Sequence, residues 1–218
     1  MAEHTDSPIR AAWATQDPLL TTYYDCEWGV PVFDDDGVFE RISLEAFQSG
    51  LSWLTVLRKR EAFRDAFDDF MIERVAQYVD ADVDRLLADA RIIRNRKKII
   101  ATVANARAAL QLRERDGVGL AEFVWSFRPE RSPVPKCDAE VPAVSPESSA
   151  LARELKRRGF AFVGPTTVFA LMAAIGIVDA HLVNSHRRGC SRLWMPDGTR
   201  AEGELPFAHR ASLVPAAG

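Results

Sequence analysis

A glutamate stands among apolar residues in the segment from Asp34 to Gly50. If that segment is a helix with about 100° per residue, Glu45 lies within about 20° of Val38 and about 60° of Ile42, on the stripe that faces the core. A carboxylate in that position costs free energy unless it is paired or serves a function. The ordinary alternative is a glutamate near the helix end that reaches solvent or a backbone N–H. Spacing alone leaves both interpretations open.

Aromatic residues are concentrated on both sides of this glutamate in the sequence. They are Trp13, Tyr23, Tyr24, Trp28, Phe47 and Trp53. Aromatic rings most often fill a hydrophobic core. Their flat faces also suit a pocket that stacks on a planar, cationic ligand and holds a carboxylate at its edge. The pattern therefore predicts either core packing or a stacking pocket next to the glutamate.

A basic segment runs from Arg91 to Lys98 and contains five positive charges and no negative one. It falls at the junction of two predicted helices, where backbone N–H groups at the start of the second helix can hold a phosphate. The alternative is a solvated basic face. Because the whole chain has a net charge of −3, DNA binding would depend on the placement of these charges and not on their total.

Helical patterns follow one another along the chain and must position these residues. Caps, glycines and apolar periodicity predict helices over about 17–27, 34–50, 52–60, 61–67, 72–78, 82–88, 94–115, 145–159 and 165–176. No stretch alternates for long enough to predict a strand, so the predicted fold class is all-α. We expect a surface loop over 128–146, which holds five prolines, and a flexible C-terminal tail over 196–218.

Length and composition exclude several classes of protein. With 218 residues, 47% hydrophobic and 27% charged, the chain is typical of a globular protein and not of a disordered one. The longest apolar run, 168–178, has 11 residues, whereas a membrane-spanning helix needs about 20. The N-terminus lacks the hydrophobic core of a secretory signal. Three scattered cysteines do not make a disulfide framework, which favours a cytoplasmic protein.

Several blocks of the sequence resemble the DNA-3-methyladenine glycosylase I family. The blocks are Gln16–Leu19, Tyr23–Pro31, Leu44–Glu45, Gly50–Leu57, Lys59–Glu61, Ile92–Lys98, Phe123–Phe127 and Leu155–Gly164. They occur in the family's order between about Ala12 and Arg188. The resemblance implies the helix-hairpin-helix DNA glycosylase fold, with two helical lobes around a base-binding pocket. It also implies a single domain over 1–195, with the helix-hairpin-helix near 82–113.

The same resemblance implies a hydrolase that acts in base-excision repair. Such an enzyme flips 3-methyladenine out of alkylated double-stranded DNA and cleaves its bond to the sugar, which leaves an abasic site. The implied catalytic residues are Glu45, Tyr23 and Trp53, and the implied pocket residues are Trp13, Trp28 and Phe47. The implied DNA-binding residues are Leu51, Arg91, Arg94, Asn95, Arg96, Lys97 and Lys98. Leu51 would fill the gap left by the flipped base, and the basic residues would hold the DNA backbone.

The chain departs from the family at a zinc site that usually ties the termini together. The family's Cys, His, His and Cys ligands fall on Ala11, Tyr24, His181 and Ser185. A single imidazole cannot hold a structural zinc ion, so we expect no metal, no other cofactor, and packing around Tyr24 in place of the zinc. A rebuilt site would need Cys26, His181, His186 and Cys190. We do not expect it, because Cys26 lies about 200° around its helix from Tyr24.

Three other interpretations remain open at this point. The first is a glycosylase that prefers another alkylated purine, and the second is a non-catalytic protein that binds alkylated DNA. The third, a purely structural helical protein, gives no reason for a core-side glutamate beside three tryptophans. The sequence has no heptad pattern and no spare apolar stripe, so we expect a monomer without membrane partners.

Overall fold

A computed structural model of the chain describes residues 8–207. Over this range the structure is helical, and its only β-type pairing is two isolated bridges that join Arg131 to Thr199 and Trp194 to Arg200. The all-α prediction is confirmed. Within the same range, no helix is both long enough and apolar enough to cross a membrane.

Ten α-helices are present in the described part of the chain. They are α1 (Pro18–Cys26), α2 (Asp35–Gln48), α3 (Trp53–Leu57), α4 (Arg60–Ala66), α5 (Ile72–Val75), α6 (Asp80–Ala88), α7 (Arg96–Asp116), α8 (Leu120–Trp125), α9 (Pro146–Arg157) and α10 (Pro165–Ala174). Single turns of 3-10 helix occupy Ala12–Thr15, Asp68–Phe70 and Asp138–Glu140.

Side-chain caps determine where five of these helices begin. In each case a side-chain oxygen accepts a hydrogen bond from a backbone N–H of the first turn, which would otherwise lack a partner. The capping residues are Asp17, Asp34, Ser52, Asn95 and Ser145. Because such caps depend on neighbouring residues alone, they can be read from the sequence.

Helix α8 is the element that the sequence pattern missed. Five of its six residues are buried, and Glu122 is the exception. A short helix that is apolar on every side has no amphipathic period, so nothing in the pattern distinguishes it from a loop or a strand. The Trp125 indole nitrogen donates to the Val32 carbonyl oxygen at 2.8 Å, which ties α8 to the segment before α2.

One hydrophobic core joins elements from both ends of the chain. Its buried residues form one contacting cluster, and they come from positions between Val38 in α2 and Ala180 beyond α10. Helix α10 packs against both α9 and α2, so the region after the proline-rich loop completes the core of the region before it. This packing brings α10 opposite α1, α2 and α3 and leaves a pocket between them.

The start of the C-terminal segment is held against the proline-rich loop. Met195 N donates to Thr199 O at 2.8 Å, and Ser132 N donates to Gly198 O at 2.8 Å. The bond between Ser132 and Gly198 joins positions far apart in sequence, and the flexibility of the segment from residue 196 stays a prediction. The part of that predicted tail over 208–218 lies outside the described residues.

Candidate active site

A pocket of about 620 Å³ lies between α1, α2 and α3 on one side and α10 on the other. The loop segment 141–143 closes a third side. Five residues that the sequence proposed for the site line this pocket, namely Trp13, Tyr23, Trp28, Glu45 and Trp53. They come from four separate segments of the N-terminal 60 residues, and the fold brings them to one cavity.

The aromatic side chains form a continuous wall on one side of the pocket. The ring centroids of Trp13 and Trp28 are 5.4 Å apart with an edge-to-face angle of 83°. Those of Tyr23 and Trp53 are 5.3 Å apart and tilted by 49°. Such contacts stabilise the wall itself and hold the ring faces in fixed directions. The wall is therefore preformed for a flat ligand.

Glu45 is 7% exposed, and its carboxyl group has no hydrogen-bond or ion-pair partner among residues 8–207. Burial raises the pKa of Glu45 from its usual 4.5 to about 8, and the positive charge of Arg41 opposes this only in part. At neutral pH the group is therefore mostly a neutral carboxylic acid. It has the capacity to donate or accept a hydrogen bond, and it lines the cavity.

Two further polar groups in the pocket lack partners in the described part of the chain. The Tyr23 hydroxyl has no hydrogen bond, and burial together with the nearby Glu45 raises the pKa of Tyr23, which keeps the phenol protonated. The Trp53 indole N–H is buried and unpaired. Unpaired polar groups on residues this buried are rare because each costs desolvation free energy, so the Glu45 carboxyl and the Tyr23 hydroxyl in one cavity indicate a site for a polar ligand.

Helix α10 forms the opposite wall, which sequence reasoning did not identify. Thr166, Phe169, Ala170 and Ala173 line the pocket at the i, i+3, i+4 and i+7 spacing of one helix face. The helix is apolar nearly all round, so its pattern does not reveal which face meets a cavity. The small side chains of Thr166, Ala170 and Ala173 leave room opposite the aromatic wall.

The prediction that Phe47 lines the pocket is wrong. Phe47 is fully buried, and its ring packs 4.5 Å from Phe63 and 6.0 Å from Phe67 between ring centroids. The reason is helical geometry, since Phe47 lies two residues after Glu45 and about 200° around α2 from it. Phe47 therefore supports the pocket from the core behind it.

The hairpin between α6 and α7 spans residues 89–95, and its positive charges differ in availability. Arg91 pairs with Asp89 at 2.8 Å and Asp65 at 2.6 Å, and Arg96 lies 3.3 Å from Asp84. Asn95 caps α7. The side chains that are exposed and have no ion-pair partner in the described residues are those of Arg94 and Lys97. These two are the most available to a phosphate.

Lys98 departs from its predicted role as a surface DNA contact. It is 6% exposed, and its Nζ donates to the carbonyl oxygens of Phe47 at 2.8 Å and Ser49 at 2.6 Å. Burial lowers the pKa of Lys98. The side chain thus connects α7 to the carbonyl end of α2, where cations are favoured. Leu51, two residues after Ser49, is 43% exposed and lies in the sequence between Gln48 and Ser52, which both line the pocket.

The four positions that correspond to the family's zinc ligands meet in the structure, but other contacts hold them. The Tyr24 hydroxyl and Ser185 Oγ are 2.8 Å apart and buried. The Tyr24 ring stacks on Trp28 at 5.4 Å and meets His181 edge-to-face at 5.1 Å. Ala11 packs in the same cluster. We call this group of Ala11, Tyr24, His181 and Ser185 the tyrosine corner.

The residues at the tyrosine corner do not fit a zinc ion. Over residues 8–207, no group of three His, Cys, Asp or Glu side chains is placed to hold a metal. His181 Nδ1 is 2.8 Å from Asp179 Oδ1, and its Nε2 is buried without a partner, so a single imidazole nitrogen remains for a metal. The alternative ligands do not gather either, since Cys26 is exposed and His186 lies 3.1 Å from Asp25.

Comparisons with known proteins agree with this geometry. A model of the methyladenine glycosylase family matches residues 13–188. DNA-3-methyladenine glycosylase 1 of Escherichia coli (strain K12) is 47% identical over 176 residues, which cover 80% of this chain and 94% of that protein.

Solved structures agree as well. A crystal structure of a 3-methyladenine DNA glycosylase I superposes with a TM-score of 0.78 and a sequence identity of 44%. The match covers 82% of this chain and 98% of the chain in that structure. The Staphylococcus aureus 3-methyladenine DNA glycosylase I, studied for its recognition of 3-methyladenine, is 36% identical, with a TM-score of 0.77, over 81% of this chain and 95% of its own. This chain therefore belongs to the methyladenine glycosylase family.

Proposed function

We propose that this protein is a monofunctional DNA glycosylase that acts in base-excision repair. It flips 3-methyladenine out of alkylated double-stranded DNA and hydrolyses its bond to the sugar, which leaves an abasic site. The observation that carries the proposal is the unpaired, buried Glu45 in a pocket with Tyr23 and Trp53. The relatives named as DNA-3-methyladenine glycosylases support the same substrate.

The pocket suits the chemistry of the damaged base. Methylation at N3 places a positive charge on the adenine within the nucleotide and weakens its bond to the sugar, so the base leaves as a neutral molecule. Trp53 stacks on the cationic ring, and such a contact contributes about 0.5–2 kcal/mol. The carboxyl oxygens of Glu45 accept a hydrogen bond from the exocyclic amine of the base. A base that presents another donor pattern would leave the buried carboxyl unpaired and would be rejected.

Among the described residues, no aspartate lines the pocket to act as a general base. Asp116 is the one aspartate shortly after the hairpin, and its carboxylate lies 3.2 Å from the Arg158 guanidinium at the end of α7. It does not line the pocket. Hydrolysis therefore depends on the intrinsic weakness of the bond in the methylated nucleotide and on how the pocket binds the leaving base.

The exposed part of the hairpin provides the DNA-backbone contacts. Arg94 and Lys97 offer free positive charge beside the first turn of α7, and Asn95 lies between them in the sequence. Leu51 stands at the edge of the pocket and fills the space that the flipped nucleotide leaves in the duplex. Arg91 and Arg96 contribute less, because aspartates already pair with them.

The protein works without zinc, as a cytoplasmic monomer, in this proposal. The hydrogen bond of Tyr24 with Ser185 and the surrounding ring contacts stabilise the tyrosine corner in place of a zinc ion. All three cysteines are unpaired thiols, which suits a reducing compartment.

The test is the release of free 3-methyladenine from methylated duplex DNA. We expect release by the wild type, a strong loss with Glu45→Gln and with Trp53→Ala, and no loss with Glu114→Gln, a matched change on the exposed face of α7. The assay is repeated with a chelator, which should change nothing. A wild type that binds DNA but releases no base would contradict the proposal and favour the non-catalytic DNA-binding protein.

A panel of alkylated bases separates the remaining alternative, a glycosylase with another preferred purine. Single-turnover release of 3-methyladenine should exceed release of 7-methylguanine, since Glu45 faces the exocyclic amine of adenine in our arrangement. Faster release of another purine would keep the enzyme class and change the substrate.

A further inference from the structure

Phe162 is an exposed aromatic residue in an unfavourable backbone conformation. It lies in the loop between α9 and α10, it is 37% exposed, and its φ angle is +58°. An L-residue with a large side chain rarely adopts this left-handed region, where glycine or asparagine is the usual occupant. Such outliers persist where the surrounding structure enforces them, and they cluster at ligand clamps.

The neighbours of Phe162 enforce the conformation. Phe160 and Val163, on either side, are buried in the core with 4% and 2% exposure. Asn105 of α7 is 1% exposed and grips Ala161 with both ends of its amide: Nδ2 donates to Ala161 O at 3.1 Å, and Oδ1 accepts from Ala161 N at 2.8 Å. With the core positions occupied and the preceding peptide clamped, the Phe162 ring is held towards solvent.

The same face of α7 positions both Phe162 and Leu51. Lys98 and Asn105 are seven residues apart, which places them on one face of the helix and about 10 Å apart along its axis. Lys98 binds the Ser49 carbonyl, two residues before Leu51, and Asn105 binds the peptide of Ala161, directly before Phe162. α7 thus presents two loops, each with one exposed apolar side chain.

Both loops lead directly into the pocket. Ser52 follows Leu51 and lines the cavity from one wall, and Thr166 lies four residues after Phe162 and lines it from the other. Leu51 is 43% exposed and Phe162 is 37% exposed. Leu51 thus directly precedes a lining residue on one wall, and Phe162 lies one helical turn before a lining residue on the opposite wall.

We propose that Phe162 is a second DNA-contacting residue, whose ring packs against the strand beside the flipped nucleotide, across the pocket entrance from Leu51. This inference rests on the proposed function, because it requires the entrance to face damaged duplex DNA. Aromatic rings stack on any base and on sugars, so the contact needs no sequence recognition. The enforced backbone keeps the ring exposed before DNA arrives, which lowers the ordering cost of binding.

The test separates the ring from the backbone conformation with two substitutions. Phe162→Ala removes the ring and keeps the unfavourable φ, whereas Phe162→Gly removes the ring and relieves it. We measure the Kd for a duplex with an abasic-site analogue, single-turnover release of 3-methyladenine, and binding of free 3-methyladenine by tryptophan fluorescence. Both variants should bind the duplex about fivefold or more weakly, by the usual loss of one stacking contact. Both should bind the free base like the wild type.

Two controls complete the experiment. Phe162→Tyr keeps an aromatic ring and should restore the duplex Kd to within about twofold of the wild type, a change within ordinary surface effects. Val134→Ala removes a similarly exposed apolar side chain, 39% exposed, from the proline-rich loop and should change nothing. Thermal unfolding is recorded for every variant, and we expect Phe162→Gly to unfold no earlier than the wild type.

Three outcomes would overturn the inference. In the first, both ring deletions bind the duplex normally. In the second, Phe162→Gly binds normally while Phe162→Ala does not, which would assign the effect to the backbone. In the third, free-base binding falls in parallel, which would mean that the pocket itself was damaged. A wild type that binds the duplex and releases no 3-methyladenine would contradict the proposed function instead, and the duplex Kd values would still decide the role of Phe162.

Discussion

Tyr23 and Tyr24 are neighbours on α1, yet the hydroxyl of Tyr24 has a hydrogen-bond partner and that of Tyr23 has none in the described part of the chain. Tyr23 faces the pocket, where its hydroxyl, the Glu45 carboxyl and the Trp53 indole N–H have no partners within residues 8–207. Tyr24 faces the tyrosine corner, where its hydroxyl is 2.8 Å from Ser185 Oγ. In that corner Asp179 accepts hydrogen bonds from the backbone N–H groups of His181 and Gly189.

This difference in pairing distinguishes groups that are available to bind a ligand from groups that stabilise the fold. A buried polar group without a partner costs free energy and is retained where a ligand supplies the partner. A buried group with a partner adds modestly to the free energy of unfolding and leaves nothing for a ligand. Consecutive helical residues point about 100° apart, so one turn of α1 serves both regions. Substitutions in the pocket should therefore affect catalysis, and those in the corner should affect stability.

The largest expected effect is on catalysis, from Glu45→Gln. The cationic nucleotide favours the ionised form of Glu45 against the effect of burial, and the variant keeps the size of the side chain but cannot provide that charge. A hydrogen bond to a charged group contributes about 1.5–3 kcal/mol, or roughly 10- to 150-fold in rate. Single-turnover release of 3-methyladenine measures the loss. Equal rates for the variant and the wild type would break the comparison, since the pocket would then hold its unpaired carboxyl for no catalytic purpose.

The same variant makes a prediction about pH and stability. The pKa of Glu45 is raised from 4.5 to about 8 in the fold, so the folded state favours the protonated group. Its contribution to the free energy of unfolding is fully present below pH 4.5 and is lost as the pH rises towards 8. The wild type should therefore lose stability relative to Glu45→Gln between about pH 5 and pH 8. Urea unfolding of both proteins across that range measures the gap, and a constant gap would contradict the buried-carboxyl assignment.

At the tyrosine corner, Tyr24→Phe should cost about 0.5–1.5 kcal/mol of unfolding free energy, because it removes the buried hydrogen bond with Ser185, whose Oγ keeps the bond that it accepts from Arg187 N. The excision rate should stay within about twofold of the wild type, since the hydroxyl does not reach the pocket lining. The double variant Tyr24→Phe with Ser185→Ala should cost less than the sum of the two single changes, because each single change already removes the shared hydrogen bond. Urea unfolding and the release assay together test this, and a large loss of activity with normal stability would break the separation of the two regions.

The smallest expected effect is that of a chelator, which should change neither the unfolding temperature nor the excision rate. Metal analysis of the purified protein should find less than one zinc per chain. The comparison is sharpened by Ala11→Cys, Tyr24→His and Ser185→Cys together, which with His181 would provide four zinc donors. Gain of one zinc ion by this variant would support the shared geometry of the corner. Loss of wild-type stability in chelator would contradict the zinc-free proposal.

Local sequence features account for much of the fold. The caps at Asp17, Asp34 and Ser52 depend on residues within one turn, and the structure places them where the pattern predicts. The stripe shared by Val38, Ile42 and Glu45 depends only on the helical period, and all three are buried. These features are predictable because the backbone geometry of a helix is the same in every protein.

Features that depend on packing between distant segments were not predictable in the same way. Lys98 reads as one more exposed charge in a basic run, and its burial follows from the approach of α7 to the carbonyl end of α2. Phe47 reads as a pocket residue from its place in the sequence beside Glu45, and the direction of its ring decides otherwise. Helix α8 has no polar face to reveal it.

The sequence by itself therefore determined the helical class, the position of the core-side glutamate, and the family to which the chain belongs. Composition, periodicity and ordered motifs are properties of the chain that need no knowledge of contacts. The tertiary structure decided which polar groups have partners. Pairing depends on atoms that lie 161 positions apart, as for Tyr24 and Ser185, or 51 apart, as for Lys98 and Phe47, and only folding brings such atoms within hydrogen-bond distance.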